Sequence, residues 1–89
     1  KPNDADIWYV IEELDRQLDT HNYLPIFYLR ERLQPPLTRA ELDSALYRLQ
    51  RDDRLELSSL QEAAHYSPEE IEAGIPQEIG GPLFFLIRN

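Results

Sequence analysis

Between Arg30 and Arg54 the chain places six arginines (Arg30, Arg32, Arg39, Arg48, Arg51 and Arg54) among five acids, a local surplus of +1. All other residues together carry −9, and the whole chain −8. A guanidinium offers a planar fork of donors that matches a phosphate or the edge of a base. If any surface of this chain meets phosphate, it lies in this middle stretch, and both ends repel it. The net charge argues against a general polyanion binder.

Other chemistry is sparse. The two histidines, His21 and His65, have no partner at the spacing of a triad or a metal motif. His21 is expected to close the first helix, and His65, beside Tyr66, to help pack the long connection near the C-terminus. Gly80-Gly81 before an apolar run is turn chemistry, not a phosphate loop. The carboxylates fall on helix faces, where acids are usually solvated. The absence of cysteine removes disulfides, thiolate metal sites and cysteine nucleophiles. No enzymatic activity, metal or small-molecule cofactor is expected. No apolar run reaches the length of a membrane span, and no secretory signal pattern is visible, so a cytoplasmic location without a membrane partner is expected. Methionine is missing, at position 1 and elsewhere, which suggests a processed product or a piece excised from a longer protein.

The arginines need an element to hold them, and Leu37–Asp53 supplies a helix. Thr38 and Glu41 stand at the spacing of a capping box, with Leu37 and Leu42 placed as its hydrophobic staple. Leu42, Ala45, Leu46 and Leu49 follow the i, i+3, i+4, i+7 stripe of a buried face. The opposite face carries Arg39, Asp43, Ser44, Tyr47, Arg48 and Arg51. That face is either a solvated exterior or a recognition surface.

The flanking segments read as supports. Asp4 is placed as an N-cap, and Ile7, Val10, Ile11, Leu14 and Leu18 stripe a helix over about 5–20. Trp8 is expected in its core or at the core's edge. Glu12, Glu13, Asp15 and Asp19 make its outer face acidic. Tyr23-Leu24 is a short extended piece, because the residue before Pro25 avoids the helical region. Pro25 then suits the first position of a second helix, with Ile26, Leu29 and Leu33 inward and Arg30, Glu31 and Arg32 facing water. Gln34-Pro35-Pro36 ends it. After the third helix, Arg54–Ser58 alternates apolar and polar residues as a strand does, and Leu83–Ile87 reads as a second, more buried strand. The piece between, residues 59–82, is too long for a hairpin loop. Ser67, Pro68 and Glu70 start a short helix within it, with Tyr66 and Ile71 as staple, and Gly74 stops it. Five glutamates (Glu62, Glu69, Glu70, Glu72 and Glu78) lie there with no lysine or arginine.

The order helix, brief strand, helix, helix, strand, wing, strand resembles the winged helix-turn-helix superfamily. The residues that carry the resemblance are the first stripe, Tyr23-Leu24, Thr38–Leu49, and the strands at Leu55–Ser58 and Leu83–Ile87. The expected fold is a single domain over 1–89. It is mainly α with a small antiparallel β-hairpin: a three-helix core and a long wing containing a short helix. The resemblance implies a transcription-regulator-like DNA-binding module. Arg39, Ser44, Tyr47, Arg48 and Arg51 would lie near DNA, and Arg54, at the start of the wing, near phosphate. Other members of the superfamily bind proteins. The alternative is therefore a protein-interaction or dimerisation domain with an acidic surface and no DNA binding. Trp8, Tyr9, Phe27, Tyr28 and Tyr66 are more aromatic groups than so small a core hides, so Trp8, Tyr9, Tyr28 and Tyr66 are its candidate contacts. A continuous positive face on the third helix favours DNA. A face interrupted by Asp43, Asp52 and Glu56 favours a protein partner.

Overall fold

Three of the helices begin where a side chain and a backbone amide can cap each other reciprocally. In the computed structural model, which describes residues 1–89, α1 spans Asp4–Leu18, α2 Ile26–Leu33, α3 Arg39–Arg51 and α4 Pro68–Glu72. Thr38–Glu41 and Ser67–Glu70 form the expected capping boxes of α3 and α4. The first helix differs from expectation. Its N-cap is Asn3, not Asp4: the Asn3 side chain accepts from the Asp6 amide at 2.8 Å, and the Asp6 carboxylate accepts from the Asn3 amide at 3.0 Å. The Asn3–Asp6 pair has the spacing of the box, which leaves Asp4 in the first turn. Pro25 is likewise the residue before α2, extended at φ −61° and ψ 132°.

The expected hairpin is part of a larger sheet. β1 (Leu24–Pro25), β2 (Leu55–Ser59) and β3 (Leu83–Arg88) form a three-stranded antiparallel sheet with β3 in the centre. Leu24 faces Leu86 across β1–β3, and Leu57 faces the same residue across β2–β3. The domain is therefore α+β, with four helices against one small sheet. Pro25 is tolerated because β1 is an edge strand. On the opposite edge, the Leu57 amide donates to Gln50 Oε1 at 2.9 Å, so a side chain of α3 takes up a donor that strand pairing leaves over.

The core lies between the helices and one face of the sheet. Ile7, Ile11, Leu24, Ile26, Leu29, Leu42, Leu46, Leu55, Phe84 and Leu86 are fully buried in it. Alternation along β3 turns Phe84 and Leu86 inward and leaves Phe85 and Ile87 half-buried on the other side.

The long connection is a closed insertion. Ile75 and Leu83 exchange two backbone hydrogen bonds, at 2.9 and 2.8 Å, and the Leu60 amide donates to the Pro82 carbonyl at 2.9 Å. Gly81 lets the Leu60 carbonyl come so close that a Cβ would collide with it. A 3-10 turn (Ala63–His65) precedes α4. His65 does not pack the insertion as expected. It is exposed, 3.3 Å from Glu62, because the turn buries none of its residues.

Arg30 is the main departure from the expected surface. It is buried, not water-facing. Its Nε donates to the Ala73 carbonyl at 2.6 Å and its Nη1 to Gln34 Oε1 at 2.9 Å. Its Nη2 lies 2.8 Å from Asp43 Oδ1. Burial pulls its pKa down, against the opposing hydrogen bond and charge of Asp43. Arg30 and α3 thereby hold the end of α4.

Candidate functional site

The N-cap of α3 and the stripe beneath it aim the candidate arginines outward, and each then meets a carboxylate of this same chain. Arg48 places Nε and Nη2 on the two oxygens of Asp4 at 2.9 and 3.0 Å. That hydrogen bond holds the Asp4 carboxyl below the ordinary aspartate range and pushes Arg48 upward. Arg39 lies 4.0 Å from Asp43, and its Nη2 donates to the carbonyls of Glu72 and Gly74 at 2.9 and 2.8 Å. Arg51 is 3.6 Å from Asp52. Lys1, which folds onto the start of the same helix, lies 2.7 Å from Glu41. The Lys1 ammonium, with the Thr38 amide, lowers the Glu41 pKa from 4.5 to about 2. The α3 face thus sets four cations against four carboxylates within 4.0 Å, and Asp43 divides its charge between Arg39 and the buried Arg30, which leaves the cluster a surplus of one positive charge.

Ser44 and Tyr47 are exposed on this face, as expected, and Ser44 borders an open cavity of about 400 Å³ between the N-terminal residues and α3. Arg54 lies apart from these side chains. Its guanidinium stands 5.0 Å from the centre of the Trp8 ring, and its carbonyl accepts the Trp8 indole N–H at 3.0 Å. Arg88 approaches the same ring at 5.9 Å. Arg88 also binds Asp15 and Glu12 of α1, at 2.7 and 3.4 Å.

The four aromatic candidates occupy two separate places. Trp8 and Tyr9 meet edge to face on α1 at 5.3 Å, and Tyr9 is 61% exposed. Tyr28 stacks edge-on against the buried Phe27 at 4.3 Å. Tyr66 sits 4.8 Å from Phe84 and 6.3 Å from Phe85, at the end of the sheet. Burial pushes the Tyr66 phenol up, with Glu70 and Tyr28 adding to it, so it stays neutral. Two aromatic residues were not anticipated here. Tyr23 is 52% exposed and stands 5.6 Å from Phe85. Together with Leu60 and Tyr66 they line a second open cavity, of about 420 Å³. Its signal in the sequence is the doubled Phe84-Phe85 in a strand, because alternation must turn one of the two away from the core.

No group of three or more acidic or histidine side chains converges to hold a metal ion, and no helix is long and apolar enough to cross a membrane. Compared with known proteins, the chain matches no family model, no curated protein and no solved structure, so its function has to be read from these surfaces.

Proposed function

We propose that this domain is a winged helix used as a protein-interaction module, and that it does not read DNA through α3. The order of the elements and the central β3 support the winged-helix reading, with α3 in the recognition position and residues 60–82 as the wing. The observation that carries the functional reading is the near-neutrality of the α3 face. Each exposed ion pair is individually weak, so a phosphate could displace one carboxylate. Displacement does not remove the carboxylate's charge, however. Counterion release scales with net phosphate neutralisation, and this face, with Arg30 beneath it, has a surplus of only one charge to contribute.

The test is duplex binding by fluorescence anisotropy at low salt. The natural chain should not bind. Asp4→Asn, Glu41→Gln and Asp52→Asn together unmask three cations. That variant should gain weak binding whose log K falls with log salt at a slope of about −3. Natural-chain binding that disappears on Arg51→Ala would restore the DNA reading instead.

A further inference from the structure

We infer that the cleft between the outer face of the sheet and the wing docks an extended, basic peptide segment with apolar side chains. This rests on the protein-binding reading above and names the partner chemistry. The cleft has an aromatic floor and walls: Phe85 on β3, Tyr23 just before β1, and Leu60 and Tyr66 at the base of the wing. No helix covers this side of the sheet at Tyr23, which keeps 52% of its surface in water although a tyrosine is large and mostly apolar. A volume of about 420 Å³ takes side chains of a strand-like segment, and is small for a helix.

Charge selects among possible occupants. From Leu55 to Ile87 the chain has six glutamates and no lysine or arginine. Glu62 stands on the rim of the cleft, paired only with His65, at 3.3 Å. Glu56 projects from the same sheet face as Ser58, by strand alternation. The two flanking arginines, Arg54 and Arg88, are drawn to Trp8 and α1. A partner's lysine or arginine would meet tyrosine faces and the exposed Glu62 carboxylate together, while its aliphatic neighbours cover Phe85. A second copy would bring −8 against −8 and be repelled, as would a nucleic acid.

The probes are two synthetic peptides of equal length, one alternating arginine with leucine and the other glutamate with leucine. Each is titrated into the isotope-labelled chain and followed by amide chemical shifts. The arginine peptide should move Tyr23, Ser58, Glu62, Tyr66 and Phe85, and the glutamate peptide should move none of them. Tyr23→Ala should weaken binding about tenfold. Glu62→Gln should weaken it about threefold. Both side chains are exposed, and retained spectra of the free variants confirm that they fold. Absence of binding, equal binding of the glutamate peptide, or shifts confined to α1 and α3 would overturn the inference. So would concentration-dependent shifts at the cleft without peptide, which would assign it to a second copy. Duplex DNA bound by α3 overturns the broader reading instead, so the two fail separately.

Discussion

Arg30 donates to the Ala73 carbonyl and to Gln34 while its third nitrogen faces Asp43. Cutting it back therefore leaves the Asp43 carboxylate with only Arg39, at 4.0 Å, in a place where 22% of that side chain sees water. Arg30→Ala should lower the unfolding free energy by about 3 kcal/mol in urea titration. Adding Asp43→Ala should recover part of that loss, because that carboxylate goes too. Arg30→Lys should rescue little, since an ammonium cannot serve three directions in a plane. This site was half legible. Ile26, Leu29, Arg30 and Leu33 fall at i, i+3, i+4 and i+7, so the spacing itself put Arg30 on the buried face. Its residue type argued for water, and only the meeting of α2, α3 and α4 supplies the acceptors. Asp15 has a pH consequence. Desolvation alone would raise its pKa, but hydrogen bonds from Thr20 and the Asn22 amide, with Arg88, outweigh it and hold it below the ordinary 3.8. A carboxylate depressed by folding stabilises above its unfolded pKa, and the gain disappears as pH falls through the folded value. Asp15→Asn should thus be less stable than the natural chain at neutral pH. The gap should close progressively on acidification below about pH 4, as followed by circular dichroism.

Among the elements, those specified by local rules were the readable ones. Capping boxes need only two side chains three residues apart, and both expected boxes formed as spelled. The cap of α1 is ambiguous in the sequence because Asn3 and Asp4 both have capping side chains, and the reciprocal partner Asp6 decides for Asn3. β1 was hard to see as a sheet member. It is two residues long, and its pairing with β3 joins residues sixty or more positions apart. The Gln50–Leu57 contact spans only seven positions, but it too is hidden in the sequence, since it depends on α3 lying along β2. It gives a direct test. Gln50→Ala leaves a part-buried amide without its acceptor, at a cost of about 1–3 kcal/mol. Hydrogen exchange at Leu57 should accelerate by more than at the neighbouring strand amides.

For the molecule as a whole, counting charges along the chain located the arginines but not their neutralisation. Asp4 and Arg48 are 44 positions apart, and nothing local says that they meet. The same holds for the insertion between β2 and β3. Its glutamates were plain in the sequence, yet its attachment is made by Arg30 and Arg39 reaching three successive carbonyls, those of Glu72, Ala73 and Gly74. A protease that cuts after glutamate should therefore act first at Glu78, in the exposed loop beyond α4. The bonds after Glu69, Glu70 and Glu72 should resist until Arg39→Ala loosens the attachment, as mass spectrometry of timed digests would record. Trp8 adds a different kind of consequence. The chain has one tryptophan, and its ring lies under the guanidiniums of Arg54 and Arg88, with its N–H on the Arg54 carbonyl. Light emitted by this domain on excitation at the long-wavelength edge, where tryptophan absorbs and the five tyrosines do not, therefore comes from the seam where α1 meets the start of β2 and the end of β3. Its colour should shift to the red when that seam opens, which gives the protein a built-in optical gauge requiring no attached dye.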